Sequence, residues 1–246
     1  MSFIEFRGIT KAFDEKVVYT GLDLSIEKGE TITIIGGSGS GKSVLLKLLI
    51  GLMKPDEGRI TIDGTDIVPL SEGELFSVRR RIGMLFQGGA LFDSITVGEN
   101  VAYGLVMHRG LSDDEIAEKV KKCLDMVGLP GIEAMMPADL SGGMKKRVAL
   151  ARAIAYDPEI ILYDEPTTGL DPTNSNRINN LIVELQHVLK VTSIVVTHDM
   201  KSAQTVSNRL AMLYRGKIEA VGSTDEMTKS EDPVVRAFIE GNIGEL

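Results

Sequence analysis

Gly36-Gly37-Ser38-Gly39-Ser40-Gly41-Lys42-Ser43 decides how this chain is read. It follows the apolar, β-branched run Thr31-Ile32-Thr33-Ile34-Ile35 and leads into Val44-Leu45-Leu46-Lys47-Leu48-Leu49. A strand, a glycine-rich loop and a helix start, in that order, are what a phosphate-binding loop requires. The four glycines let the backbone turn back on itself, so that successive N–H groups face one anion. A helix opening at Lys42 adds the positive end of its dipole. Lys42 has the reach to meet β- and γ-phosphates, and the Ser43 hydroxyl suits a Mg²⁺ ion. A flexible Gly/Ser linker is the alternative, but it would need neither the strand before nor the helix after. The stretch implies a nucleoside triphosphate.

Upstream, Phe3 to Ile9 and Leu22 to Ile26 read as strands, the second closed by the turn Lys28-Gly29-Glu30. Between them lies Thr10-Lys11-Ala12-Phe13-Asp14, where Phe13 is either a core residue or an aromatic for stacking on a base. Downstream, Lys54 to Gly58 is a turn and Arg59 to Gly64 a short strand. Ser71-Glu72-Gly73-Glu74 is a capping box, and Arg79-Arg80-Arg81 at the end of its helix reads as a solvated cationic terminus. Ile82 to Phe86 is a buried-strand candidate running into Gln87.

From Gly88 to about Asp139 the chain is least strand-like, and a second capping box at Ser112 to Glu115 opens a helix ending near Gly128. A mainly helical subdomain over about 88–155 is expected. Leu140-Ser141-Gly142-Gly143-Met144 then opens another helix. Ile160 to Tyr163 is a strand that delivers Asp164-Glu165, and Thr192 to Thr197 one that delivers His198-Asp199. Pro172, capped by Asp171, starts the helix between them. Polar residues recurring at the carboxyl ends of strands place the chemistry on one edge of a parallel sheet. Strands at Leu210 to Tyr214 and Lys217 to Val221 close the domain, leaving a polar tail from Thr224.

Bulk properties narrow the class. The 246 residues are 43% hydrophobic and 25% charged, as in an ordinary folded domain. A formal net charge of −8 argues against a nucleic-acid partner. The single cysteine, Cys123, excludes an internal disulfide, and its helical spacing beside Leu124 and Val127 reads as a buried thiol. Met1 to Arg7 lacks the apolar core of a signal peptide, and no apolar run approaches about 18 residues. Any membrane role is expected to come through partners.

The phosphate loop, Gln87, Leu140-Ser141-Gly142-Gly143, Asp164-Glu165, Gly169-Leu170-Asp171 and His198, in that order, resemble the ATP-binding subunits of ABC transporters. The resemblance runs along nearly the whole chain. It implies an α/β P-loop NTPase fold with a parallel core sheet, an antiparallel β subdomain and an inserted helical subdomain. The ATPase domain would occupy residues 1–223 and the tail 224–246. ATP contacts fall to Phe13, by stacking on adenine, to Gly36, Ser38, Gly39, Ser40, Gly41, Lys42, Ser43 and Val44, and to Asp164. Mg²⁺ falls to Ser43, Gln87 and Asp164. Glu165 matches the general base, His198 the γ-phosphate contact, and Gln87 the residue that senses the transport partner. Ser141, Gly142 and Gly143 match the segment that caps ATP held by a second subunit, with Asp171 across that interface, which implies a homodimer.

Gly37, Val44 and Met144 depart from the common family pattern, and none removes a group needed for hydrolysis. Met144 to Arg147, Leu85 to Phe92 and Asp232 to Gly241 resemble the Mla branch, whose ATPases power phospholipid transport between inner and outer membranes. That resemblance implies an MlaE-like permease, an MlaD-like MCE protein, an MlaB-like STAS-domain subunit and a place on the cytoplasmic face of a bacterial inner membrane. Ala90, Leu91 and Phe92 are candidates for receiving a permease helix or for the core. The tail resembles a segment that reaches the neighbouring ATPase subunit. A small-solute importer and a soluble, non-transport ATPase of the same family are the alternatives.

Overall fold

The computed structural model describes residues 2–107 and 110–240. It divides into two compact units, Met1–Arg79 with Thr192–Leu246, and Arg80–Val191.

The first unit opens with a hairpin of β1 (Ile4–Phe13) and β2 (Lys16–Ile26), paired antiparallel from Ile4↔Ile26 to Phe13↔Lys16. Both strands exceed the sequence expectation, which placed Thr10 to Asp14 in a connection. The β-branched and aromatic run Val17-Val18-Tyr19-Thr20 explains this: it makes a strong strand and gives Thr10 to Phe13 an edge to pair with. β3 (Thr31–Ile35) is buried at every residue and leads through the glycine loop to α1 (Lys42–Leu49). β4 (Glu57–Ile62) and β5 (Thr65–Asp66) complete an antiparallel sheet in the order β2-β1-β4-β5. α2 (Glu72–Arg79) follows, with Ser71 donating through its amide and hydroxyl to Glu74 Oε2 at 2.9 and 2.6 Å. Arg79 is not a solvated terminus. Its Nε and Nη2 donate to the Ile50 and Gly51 carbonyls at 2.9 and 3.0 Å, satisfying acceptors just past the end of α1.

In the second unit, β6 (Ile82–Leu85) and β7 (Ile160–Asp164) run parallel, from Ile82↔Ile160 to Leu85↔Tyr163. The chain between them is helical: α3 (Val97–Met107), α4 (Asp113–Met126), a 3₁₀ turn at Pro137–Asp139 and α5 (Gly142–Ile154). Both halves of the Ser112–Glu115 capping box are made. Gly104 in α3 lies so close to the Tyr156 ring that a Cβ would overlap it at 2.0 Å. Cys123 is buried, and burial pushes its thiol pKa up to about 11, the inert state its spacing implied. α6 (Pro172–Leu189) ends the unit.

The chain then returns to the first unit with β8 (Thr192–Thr197), α7 (Met200–Val206), β9 (Arg209–Tyr214), β10 (Lys217–Ser223), α8 (Thr224–Thr228) and α9 (Pro233–Ile239). β3 lies between β8 and β9, parallel to both, while β10 pairs antiparallel with β9. The described part of the tail folds onto its own unit. Val235 and Phe238 pack against Ile35, Ala203, Leu210, Met212 and Met227 of their own unit. Asp232 caps α9 through the Val234 and Val235 amides at 2.8 and 3.0 Å. Val234 and Ile239, partly buried, pack against the same cluster, so Val234, Val235, Phe238 and Ile239 are all used within the subunit. Residues 241–246, which share the expected tail, lie outside the described residues. No helix among the described residues is long and apolar enough to cross a membrane.

Candidate functional site

The first unit carries the phosphate loop. α1 starts at Gly41 with no side-chain cap and no acidic residue in its first turn. Sterics fix two of the glycines. At Gly36 a Cβ would lie 2.6 Å from the Leu213 carbonyl oxygen. At Gly41, φ is +107° and a Cβ would lie 2.6 Å from Val18 Cγ1. Tyr19, wholly buried, donates its hydroxyl to the Gly41 carbonyl at 2.6 Å and ties β2 to the loop. Ser40 and Val44 donate their amides to Gly37 and Gly41 at 3.2 and 2.7 Å, closing the turn.

Lys42 is buried, and its ammonium donates to the Gly36 and Gly37 carbonyls at 2.8 and 3.0 Å. Ser40 Oγ is buried with no hydrogen-bond partner among the described residues. An orphaned hydroxyl is costly, so a bound acceptor is the natural completion of this loop. The residues fit an anion. Ser38 and Gly39 are exposed at the tip of the loop, with Gly39 at φ +76°, and Ser43 and Val44 are half-buried in the first turn of α1.

Phe13 stands at the end of the β1–β2 hairpin and is 39% exposed, so it is not a core residue. Lys11 Nζ lies 5.3 Å from its ring centroid and pairs with Asp56 at 2.6 Å. His198 is exposed just past β8. The register Ile35↔Thr197 brings the phosphate loop and His198 out of neighbouring parallel strands at the same end.

The second unit carries the carboxylates. Leu85↔Tyr163 register brings Gln87, which is exposed, and the buried Asp164 and Glu165 to one end of the β6–β7 pair. Glu165 has φ +48°, a left-handed backbone costing roughly 1–3 kcal/mol in a non-glycine residue. Thr168 compensates by donating its hydroxyl to Glu165 Oε2 at 3.0 Å and its amide to the Glu165 carbonyl at 3.3 Å. Lys146 of α5 donates to the carbonyls of Glu165, Pro166 and Thr168 at 3.3, 2.8 and 2.7 Å. Burial lowers the Lys146 pKa, and the Glu165 charge opposes that shift. Sequence reasoning used Lys146 only within the Met144 to Arg147 run and gave it no part at the site, and it passed over Thr168. A lysine on the inner side of a helix, beside Ala149 and Leu150, was the available signal.

Ser141 caps α5, accepting from the Met144 amide at 3.3 Å, and Ser141 and Gly142 are exposed. Gly143 is buried, and a Cβ there would lie 3.1 Å from the Asn174 amide carbon. Asn174 in turn donates its side-chain amide to Asp171 Oδ2 at 2.5 Å. Asp171 also accepts the Thr173 and Asn174 amides at 2.9 and 3.0 Å. The Asn174 bonds foremost hold its carboxyl below the usual range. Gly143 and Asp171 are therefore neighbours in one subunit, joined through Asn174.

Beyond Gln87, Arg152 of α5 donates to the Gly89 and Ala90 carbonyls at 3.0 and 2.9 Å. Buried Asn100 bonds both the amide and carbonyl of Phe92. Ala90 is exposed, Leu91 half-buried and Phe92 43% exposed, its ring tilted 39° to that of Tyr103 with 4.5 Å between centroids. These bonds present an ordered, partly apolar surface.

Comparison with known proteins identifies the family. Residues 19–168 match the ABC transporter family. The chain is 42% identical over 240 residues to the intermembrane phospholipid transport system ATP-binding protein MlaF of Haemophilus influenzae, covering 98% of this chain and 91% of that one. It is 42% identical over 238 residues to the probable ribonucleotide transport ATP-binding protein mkl of Mycobacterium leprae, covering 97% of this chain and 69% of that one. A dimeric ATP-binding cassette solved in a post-hydrolysis state bound to ADP and Pi superposes with a TM-score of 0.82 at 35% identity, covering 90% of this chain and 98% of that one. Motif order, fold and near end-to-end identity converge: the chain belongs to the ABC transporter family, as an ATP-binding subunit.

Proposed function

We propose that this subunit hydrolyses ATP to power phospholipid transport between two membranes. Its identity with MlaF of Haemophilus influenzae, spanning 98% of one chain and 91% of the other, is the observation that carries the reading. The probable ribonucleotide transporter mkl of Mycobacterium leprae is as similar by identity but extends well beyond this chain, which spans 69% of it.

The phosphates take the α1 start: the loop amides, the Lys42 ammonium and the orphaned Ser40 hydroxyl are its donors. Phe13 offers an exposed ring for the adenine. Ser43 and Asp164, with Gln87, would hold Mg²⁺, which neutralises charge developing on the phosphates. No group of three His, Cys, Asp or Glu side chains suited to a metal lies together among the described residues. Magnesium commonly needs only one or two carboxylates when phosphates supply the rest. Glu165 takes the proton of the attacking water, a role worth about 10²–10⁴-fold in rate. His198 donates to the γ-phosphate.

Ser141, Gly142 and Gly143 cap the nucleotide of a second copy, so two subunits pack head-to-tail with Asp171 at the interface. A structural relative that is itself dimeric supports a pairing of two subunits. The surface from Gln87 to Val106 receives a permease helix, and the permease, an MCE-domain protein and a STAS-domain subunit hold the ATPase at the cytoplasmic face of the inner membrane.

Gentle solubilisation of native membranes and isolation of the tagged protein tests the transport reading. Co-purification of a permease with an MCE-domain protein is expected; a permease with a solute-binding protein would overturn the lipid assignment. For the reaction itself, Glu165→Gln is expected to stop turnover and accumulate an ATP-bound dimer, read by gel filtration with MgATP. Retained hydrolysis would remove Glu165 from the base role.

A further inference from the structure

The segment from Glu165 to Thr168 has an unusual brace. Its carbonyls do not pair along a strand or helix. Those of Glu165, Pro166 and Thr168 converge on one ammonium, Lys146 Nζ, at 3.3, 2.8 and 2.7 Å. An ammonium has three donors and no acceptor, so three carbonyls saturate it. Lys146 is only 6% exposed, and a lysine is almost never so buried without partners. It stands on α5, one and a half turns after the Ser141 cap, and reaches residues 19 to 22 positions later in sequence.

The brace continues to the carboxylate. Thr168, whose carbonyl Lys146 holds, donates its own hydroxyl to Glu165 Oε2 at 3.0 Å. Glu165 meanwhile sits at φ +48°, a conformation that persists only when its surroundings over-determine it. The Lys146 ammonium therefore braces the strained backbone of Glu165, together with the Thr168 amide, and through Thr168 it steadies the carboxylate.

We propose that Lys146 is the positioning residue for Glu165, holding the base in line with the attacking water; this rests on the reading of Glu165 as that base. Lys146 touches carbonyls on both sides of the loop and takes no part in the proton transfer. Its loss frees the loop to relax toward ordinary backbone geometry and moves the carboxylate.

Lys146→Met keeps the unbranched stem and removes all three donors; Lys146→Arg keeps charge and donors. With the full chain and MgATP, Lys146→Met is expected to lower kcat about 10–100-fold, the scale of a displacement near 1 Å at a reacting group. The KM for ATP and the binding of MgATP should move less than about threefold, because the nucleotide contacts themselves are retained. Lys146→Arg should recover most of the rate. In single-turnover hydrolysis, adding Lys146→Met to Glu165→Gln should cost no further rate, since the two act through one group.

A kcat near the parent in Lys146→Met would overturn the proposal, as would parallel losses of kcat and MgATP binding. An equal loss with and without Glu165→Gln would show that Lys146 acts by another route. If Glu165→Gln itself turns over at the parental rate, the base assignment falls first, whatever Lys146→Met does. Should Lys146→Met fail to fold, Lys146→Arg and Lys146→Gln carry the test. Gln keeps two donors on a shorter, neutral stem and should give a kcat between parent and a full loss, again with KM unchanged; parental kcat in Gln would overturn the proposal.

Discussion

Two helix starts of this chain are built on glycine, Gly41 before α1 and Gly142 at the head of α5, and they are capped differently. α1 follows Gly41 with no side-chain cap, while the buried Lys42 ammonium and the unpartnered Ser40 hydroxyl stand in its loop. That start is incomplete until an anion arrives. α5 begins at Gly142, and Ser141 already caps it by accepting from the Met144 amide. A hydroxyl that accepts from an amide still has its own proton to donate. The α5 start thus has one amide met by a side chain of its own subunit and a hydroxyl proton still to give. The glycines differ in purpose too. Gly36 and Gly41 clear space for β9 and β2, whereas Gly143 clears space for Asn174 of the neighbouring helix.

The largest expected contrast between the two starts is in nucleotide binding. Lys42→Ala removes a charge-assisted bond and should weaken MgATP binding about 10–100-fold. Ser141→Ala, measured on the monomeric chain by calorimetry, should leave that binding within about twofold of the parent. Similar losses in both would break the distinction, because each start would then contact the nucleotide of its own subunit.

A comparison inside the phosphate loop sharpens it. Gly41→Ala introduces a Cβ at φ +107° and 2.6 Å from Val18 Cγ1. It should cost roughly 1–3 kcal/mol, read as weaker MgATP binding and a lower Tm. Gly37→Ala meets nothing within 4 Å and needs no left-handed backbone, so both quantities should stay near the parent. Equal effects would mean that the loop is shaped by the mere count of its glycines.

These differences mark what the sequence discloses. The phosphate loop is legible as a strand, a glycine turn and a helix start because strand, glycines, lysine and helix are contiguous. Asp164, Glu165 and His198 are legible because each stands just where an apolar run ends, at the carboxyl end of its own strand. The braces are not. Lys146 lies 22 residues from Thr168, and Arg79 lies 28 from Gly51, so neither reads as more than a surface cation. What defines them is a set of carbonyls, and a carbonyl has no letter in the sequence. Phe13 is misplaced for a related reason: the pairing that makes Thr10 to Phe13 a strand is supplied by Val17 to Thr20, after the turn. In the tail, alternation between Val234-Val235 and Phe238-Ile239 identifies an apolar face without saying which surface it covers.

Helix caps provide the next test, now of stability. Asp171 receives the Thr173 and Asn174 amides and the Asn174 side chain at 2.5 to 3.0 Å, whereas Ser141 receives one amide at 3.3 Å. Asp171→Ala should therefore lower Tm more than Ser141→Ala, in scans of the chain without nucleotide. The reverse order would indicate that α5 depends on its cap in a way the bond lengths do not express.

Ser141→Ala itself is expected to give the smallest stability change. The bond is long and the residue exposed, so the loss should sit near about 0.5 kcal/mol, the low end for a helix cap. For a chain of this size that lowers Tm by about 1–2 °C. Its effect on turnover in the dimer should be far larger, about tenfold or more, since a hydrogen bond to a charged phosphate is worth about 1.5–3 kcal/mol. The disparity is the informative quantity. A serine that served only as a cap would lose stability and activity in proportion, and Ser141→Asn, an equally good cap with a different donor geometry, would restore both. A serine that also serves the partner's nucleotide should regain its stability in Ser141→Asn and leave much of the turnover missing.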